Sequence, residues 1–205
     1  MDDKDRQAAF MSALTTEHFV LQTAASATVT EAGARTSLYV FSLSSSLVAL
    51  GFVSQFKQTF HLFAAAVLPA LFVLGVFTTV RLIDTGLENQ QFLRGIARIR
   101  GYYRTLTPEA AVYFSAEGGR WPEGQLAPPL WYSASAALLT TAATMIAFIN
   151  SIVAGTGLTM LASNLLGQPI GVAMGFGVSV TAVLMAIFLV YQRRRYRAAE
   201  TLLPA

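Results

Sequence analysis

The chain of 205 residues has no cysteine and little charge. Without cysteine it forms no disulfide, thiolate nucleophile, zinc–thiolate site or cysteine-ligated iron–sulfur cluster. Only 12% of its residues are charged, about half the share found in a soluble domain, whereas 54% are hydrophobic. The mean hydropathy is +0.53, and the apolar residues form long runs. This composition excludes a disordered or low-complexity chain and argues against a soluble enzyme.

Charge is also absent from the middle of four apolar segments, each long enough to cross a bilayer, which takes about 20 residues at about 1.5 Å per residue. The segments cover about Ser37–Phe56, Leu62–Ile83, Trp131–Val153 and Pro169–Tyr191. Arg81 lies near the end of the second segment, where its side chain can reach the headgroups. Pumps, voltage sensors and proton-coupled transporters need ionisable residues inside the membrane, so this pattern argues against them.

The basic residues favour one orientation of these segments. If all four span the membrane, 13 of the 14 Lys and Arg residues and every Asp and Glu fall on one side, and only Lys57 lies on the other. An excess of positive charge marks the cytoplasmic side. We therefore predict a multi-pass protein of the bacterial plasma (inner) membrane with both termini cytoplasmic. The start MDDKDRQAAF lacks the features of a secretory signal peptide, so we expect the first segment to be retained.

The predicted fold is all-α: a polytopic membrane protein with four transmembrane helices in two antiparallel hairpins, and with cytoplasmic amphipathic helices. Its parts are a cytoplasmic N-terminal helix (1–36), a first transmembrane hairpin (37–83), cytoplasmic central helices with a linker (84–130), a second hairpin (131–191) and a cytoplasmic basic tail (192–205). The stretch over residues 155–168 is apolar for a loop. We expect it to lie in the outer headgroup layer or to re-enter the membrane.

Apolar residues recur at helical spacing in both long polar parts, which is typical of amphipathic helices. The central stripe consists of Phe92, Ile96, Ile99, Tyr103 and Leu106. The weaker N-terminal stripe consists of Met11, Leu14, His18, Leu21 and Ala25. We expect each of these helices to be continuous with the neighbouring apolar segment. A short helix is predicted after Thr107, because Thr is a good N-cap and Pro108 suits the first helical position.

Small residues line one face at the fourth segment: Gly167, Gly171, Gly175 and Ser179 follow one another at intervals of four. Such a row allows a second helix backbone to approach closely. The row predicts packing within the bundle or between subunits, and a pore lined by small residues is the alternative.

Hydroxyl groups and one proline mark the first two segments. Ser42 and Ser45 share a face with Ala49, and Pro69 lies within the second segment. Hydroxyls in lipid usually bond to backbone carbonyls or to neighbouring helices, but these two also fit a hydrophilic lane for water or small ions. Pro69 frees a backbone carbonyl and predicts a kink, which serves packing or acts as a gating hinge.

The central helix carries basic residues close to the membrane, together with Tyr102: Arg94, Arg98, Arg100 and Arg104. Two interpretations stay open. The arginines attach the helix to anionic lipid headgroups, or arginines from several subunits converge on a phosphate-bearing ligand such as a nucleotide messenger, with Tyr102 stacking on a base. The net charge of +3 comes from basic residues that flank the apolar segments. Because these residues set the orientation in the membrane, we expect no nucleic-acid polymer as a partner.

No pattern of catalytic residues is present. The sequence shows no Ser-His-Asp order, paired carboxylates, HExxH or phosphate loop. His18 and His61 are predicted on opposite sides of the membrane and so cannot share a metal. We therefore expect no enzyme activity, no metal and no cofactor.

Two blocks of the sequence carry a resemblance: TEHFVLQTAASATVTEAGARTSLYVFSLSSSLVALGF and RLIDTGLENQQFLRGIARIRGYYRTLTPEAAVYF. They resemble an uncharacterised family of small four-span integral-membrane proteins of high-GC Gram-positive bacteria, and the likeness covers most of the chain. A looser similarity, in architecture only, links the chain to the small membrane effectors of nucleotide-signalled antiphage systems. In those effectors, messenger binding assembles or opens the membrane part. This second resemblance implies antiphage defence as a role by analogy of fold alone.

These patterns lead to a functional hypothesis: a homo-oligomeric channel or membrane-disrupting effector, controlled from the cytoplasm through the basic helix. The alternative is a non-conducting scaffold or regulatory subunit that docks a cytoplasmic protein partner.

Overall fold

The computed structural model describes residues 2–114 and 138–202, which contain helices and no strand. The helices are α1 (Asp3–Val53), α2 (Lys57–Arg104), α3 (Ala110–Tyr113), α4 (Ala142–Asn164) and α5 (Ile170–Leu202). Four of them, α1, α2, α4 and α5, are long and apolar enough to span a membrane. The predicted all-helical class with four such helices is therefore confirmed for the described residues.

Helices α1 and α2 are much longer than one membrane crossing. They contain 51 and 48 residues, whereas about 20 residues span the hydrocarbon layer. Each joins a polar segment to an apolar one without interruption, as the sequence predicts. The expected boundaries at 36/37 and 83/84 thus fall inside continuous helices.

Helix α4 extends beyond the predicted end of the third spanning segment at Val153. It runs over Ala142–Asn164, so most of the loop expected over residues 155–168 is helical. Residues 165–169 alone connect α4 to α5. The loop prediction was wrong because this stretch, which includes Gly155 and Gly157, stays helical and packs against neighbouring helices. The expected start of the segment at Trp131 lies outside the described residues.

Local interactions determine where α4 begins and where it ends. At its N-terminus, Thr141 Oγ1 accepts the backbone N–H of Thr144 at 3.2 Å, which satisfies one of the free amides of the first turn. At its C-terminus, Gly167 has a φ of +61°, a left-handed conformation that glycine adopts without strain. The N–H of Gln168 then donates to the carbonyl of Ala162 at 3.1 Å.

The chain separates into two compact units. Among the described residues, the first unit contains 2–31 and 85–114, and the second contains 32–84 and 138–202. In the first unit the Phe10 and Tyr102 rings meet edge to face with centroids 5.4 Å apart, and Leu21 packs against Gly95. These contacts join the N-terminal part of α1 to the C-terminal part of α2.

Burial in the first unit follows the predicted stripes. On α1 the N-terminal stripe from Met11 to Ala25 is buried or half-buried, while Phe10 and Phe19 are exposed. On α2 the central stripe is also buried or half-buried, except for Leu106, which is exposed. The short helix α3 follows, but it begins at Ala110 with Glu109 as its N-cap, so Pro108 is not its first helical residue as predicted. Thr107 Oγ1 accepts the N–H of Ala110 at 3.2 Å.

The second unit is built around α4. In its most apolar stretch 39% of the residues are buried, against 6% to 17% for the other three long helices. Tyr39 of α1, Phe72 of α2 and Gly177 of α5 all contact it. The core of this unit therefore lies along α4.

Candidate functional site

Asn150 of α4 joins three helices in the centre of the second unit. Its Nδ2 donates to the carbonyl oxygen of Phe72 in α2 at 3.1 Å, and its Oδ1 accepts from the hydroxyl of Tyr39 in α1 at 3.2 Å. Asn150 is 4% exposed and Tyr39 is fully buried. A Cβ at Gly75 would lie 2.7 Å from Asn150 Nδ2, so glycine at that position provides the room for the amide. Both ends of the buried amide have partners, as a polar side chain in an apolar bundle requires.

A second polar cluster joins α4 to α5. Gln192 is 1% exposed, and its Nε2 donates to Thr141 Oγ1 at 3.1 Å. The hydroxyl of Thr144, also buried, donates to the carbonyl of Leu138 at 2.6 Å and lies 3.3 Å from Gln192 Oε1. The cluster is neutral, and its hydrogen bonds hold the start of α4 against α5.

Helices α4 and α5 approach each other closely at two glycines. A Cβ at Gly155 would lie 2.6 Å from the carbonyl oxygen of Gly177, and a Cβ at Gly177 would lie 2.5 Å from that of Gly155. Thr181 Oγ1 crosses the same interface to the carbonyl of Ser151 at 3.1 Å. A neighbouring groove of about 370 Å³ is lined by Gly155 and Gly177 together with Ile152, Thr156, Thr159, Met174, Val178 and Thr181. The crossing is a small-residue contact between membrane-type helices.

One ion pair joins α2 to α5 beyond the apolar part of the unit. Arg195 donates to the carboxylate of Asp84. This hydrogen bond, together with the negative charge of Asp84, raises the pKa of Arg195 above its usual range. Both side chains are partly exposed, which limits the contribution of the pair to stability.

The predicted glycine row faces away from its own chain. Gly171 and Gly175 are exposed, and a Cβ at either would meet nothing within 4 Å. Ser179 is exposed and bonds to the carbonyl of Gly175 within its own helix at 2.8 Å. Gly167 lies before α5, in the middle of the α4–α5 connection. Packing of this row against another part of residues 2–114 and 138–202 is therefore not observed, and packing between subunits stays a prediction.

The hydroxyls and the proline predicted in the first two spans also lie towards the outside. Ser42 is half-buried and donates to the carbonyl of Leu38 at 2.8 Å, the backbone bond usual for serine in helices. Ser45 is exposed. Pro69 is exposed within the continuous helix α2. The structure does not bring these three residues together into one site.

The central arginines have different surroundings. Arg98 is exposed, whereas Arg94, Arg100 and Arg104 are half-buried. The guanidinium of Arg100 lies 5.8 Å from the ring centroid of Phe114, a cation–π contact. Tyr102, suggested for base stacking, packs its ring against Phe10. Within one chain the arginines do not form a single phosphate pocket.

A few buried polar atoms of the described residues have no partner: His18 Nδ1, Thr79 Oγ1 and Arg100 Nε. Thr79 is 6% exposed and lies on α2 in the second unit, whereas the other two lie in the first unit.

Among residues 2–114 and 138–202, no three His, Asp or Glu side chains form a group that could hold a metal ion.

Sequence reasoning did not single out the pairs that hold the second unit. Asn150, Thr141 and Thr144 appear in the sequence as polar residues in an apolar run, a signal for helix cross-linking that does not name the partner. Gln192 lies in the basic tail, and its burial is visible only in the structure. Gly155 and Gly177 are each followed four residues later by a threonine, Thr159 and Thr181, and this small-residue spacing is the signal by which the crossing could have been found.

We compared the chain with protein-family models, with curated proteins and with solved structures, and found no match in any of the three.

Proposed function

We propose that this chain forms an oligomeric channel or membrane-disrupting effector of the bacterial inner membrane, controlled from the cytoplasmic side. The observation that carries the proposal is the outward position of Gly171, Gly175 and Ser179 on α5. Since no group of residues 2–114 and 138–202 fills the space beside Gly171 and Gly175, a helix of a second copy can approach the backbone closely there.

The filled interior of the second unit supports a pore between copies rather than within one chain. Tyr39, Ile146 and Ala173 are fully buried. The amide of Asn150 and the hydroxyl of Thr144 are bonded to backbone carbonyls of the same unit. A conducting path lined by the exposed faces of several copies leaves these bonds intact.

Control from the cytoplasm would act through α2, which is continuous between the basic helix and an apolar span. Arg98 is exposed on this helix and is available to a ligand. Arginines from several copies, each with a forked guanidinium, would converge on a phosphate-bearing ligand such as a nucleotide messenger. Pro69 in the same helix offers a point at which it can bend.

A non-conducting scaffold that docks a cytoplasmic protein is the second candidate, and one observation favours it. An open groove of about 730 Å³ lies along the outer face of α1 in the first unit. Its lining residues are mostly small or polar: Phe19, Gln22, Thr23, Ser26, Ala27, Thr30 and Glu31. A helix of a partner could lie against such a face.

Ion flux from liposomes that contain the purified protein tests the two candidates. We expect G171L and G175L to weaken the oligomer and to abolish flux. G51L is the matched control, because Gly51 also meets nothing within 4 Å but lies on α1. R98E should remove ligand control and leave the oligomer intact. Absence of flux with every ligand, together with co-purification of one stable protein partner, would favour the scaffold.

A further inference from the structure

Four arginines near the end of α5 have two different environments. Arg195 is bonded to Asp84, whereas Arg193, Arg194 and Arg197 are exposed. Among residues 2–114 and 138–199, the three exposed residues form no hydrogen bond or ion pair. We call these three residues the outer arginine face.

The helix itself separates these two environments. At about 100° per residue, Arg193 and Arg197 lie on one side of α5, with Arg194 next to them. Gln192, which is 1% exposed, and Tyr196, which is half-buried, lie on the adjacent side, about 100° and about 60° around the helix from Arg193, against the rest of the second unit. The bonds of Gln192 and Arg195 thus fix the rotation of the helix end and direct the outer arginine face away from the protein.

The position along the helix places the outer arginine face at a membrane boundary. Tyr191 ends the charge-free apolar run of α5 and is 37% exposed, and tyrosine is a residue that favours the bilayer interface. Arg193 and Arg197 follow it by about 3 and about 9 Å along the axis. The headgroup layer is about 5–7 Å thick on each side of the bilayer. Arg193 and Arg194 therefore lie at the depth of the lipid phosphates, and Arg197 lies at the outer limit of that layer.

We propose that the outer arginine face binds the headgroups of anionic phospholipids. Its three exposed positive charges are complementary to such headgroups, and each guanidinium can make two parallel hydrogen bonds to a phosphodiester. The half-buried arginines of the central helix lack this combination of exposure and alignment. The proposal requires only that α5 lies in a membrane, and it holds whether or not the protein conducts ions.

The test uses the full-length protein in phosphatidylcholine bilayers with a minor share of phosphatidylglycerol. The preference of the protein for spin-labelled phosphatidylglycerol over spin-labelled phosphatidylcholine is measured from the motionally restricted lipid fraction. An attraction of about 1 kcal/mol per arginine corresponds to about fivefold in the association constant. We expect R193Q/R194Q to lower the preference by at least about fivefold at low ionic strength. R193K/R194K, which keeps both charges, should retain most of it.

K4Q/R6Q is the charge-matched control, because both residues are exposed and lie about 30 residues before the first apolar run. The preference of this variant should equal that of the wild type. High salt should abolish the wild-type preference, because the Debye length falls from about 30 Å at 0.01 M to about 3 Å at 1 M. An equal preference in R193Q/R194Q and the wild type would overturn the proposal. So would displacement of the labelled lipid by millimolar inorganic phosphate at constant ionic strength, since the face would then bind a soluble anion.

Discussion

The hydrogen bond between Tyr39 and Asn150 provides a direct test of how the second unit is held together. Asn150→Ala removes the bonds to Phe72 and to Tyr39, which together contribute about 1 kcal/mol at the average of about 0.6 measured in membrane proteins. It also leaves the buried Tyr39 hydroxyl without a partner, at a cost of about 1–3 kcal/mol. We expect a total destabilisation of about 2–4 kcal/mol. Tyr39→Phe removes one bond only and should cost about 0.5–1 kcal/mol.

The double variant Y39F/N150A separates the bond from other effects. Because it has no stranded hydroxyl and loses the shared bond only once, it should be less destabilised than the sum of the single variants, by about 1.5–3.5 kcal/mol. Reversible unfolding in mixed micelles measures the three free energies. The control pair is Y39F with Q192L, two sites without a shared partner, whose effects should add within about 0.3–0.5 kcal/mol. A coupling energy of zero between Tyr39 and Asn150 would refute the reasoning.

Two further predictions concern the glycines of the spanning helices and the tyrosine near the end of α5. Gly155→Ala and Gly177→Ala should each destabilise the protein by about 1–3 kcal/mol in thermal unfolding, because the new Cβ would overlap the facing carbonyl oxygen. In the single chain a Cβ at Gly171 or Gly175 meets open space, so Gly171→Ala and Gly175→Ala should be neutral or stabilising by up to about 1 kcal/mol when the unfolding is measured on the dissociated protein. Equal losses at all four glycines under that condition would contradict the crossing. Burial raises the pKa of Tyr196 above its ordinary value. The neutral phenol is therefore favoured in the folded state. Its contribution to the free energy of unfolding is fully present below the unfolded-state pKa and is lost as the pH rises through the folded-state pKa. The phenolate absorbance of wild type minus Y196F should appear above pH 10.0, the ordinary value, and a transition at that ordinary value would show that Tyr196 is not buried.

The sequence by itself determined the helical class, the four apolar helices and the two stripes of the first unit. Inside lipid, a long apolar run of this kind forms hydrogen bonds to all its backbone N–H and C=O groups by folding as a helix. Likewise, the stripes from Met11 to Ala25 and from Phe92 to Tyr103 follow from the period of a single helix. These are local properties, and they do not depend on which helix lies alongside.

Which small residues of α5 pack against α4 is visible only in the tertiary structure. Helix α5 presents two small-residue rows, one with Gly171 and Gly175 and the other with Ala173 and Gly177, about 200° apart on the helix. Their composition is alike, and the choice between them depends on where α4 lies. Because Gly177 faces Gly155, the second row is buried and the first is exposed. For the same reason the apolar stretch after Val153 continues as helix instead of forming a loop, and Asn150 finds partners on α1 and α2 that are distant in sequence.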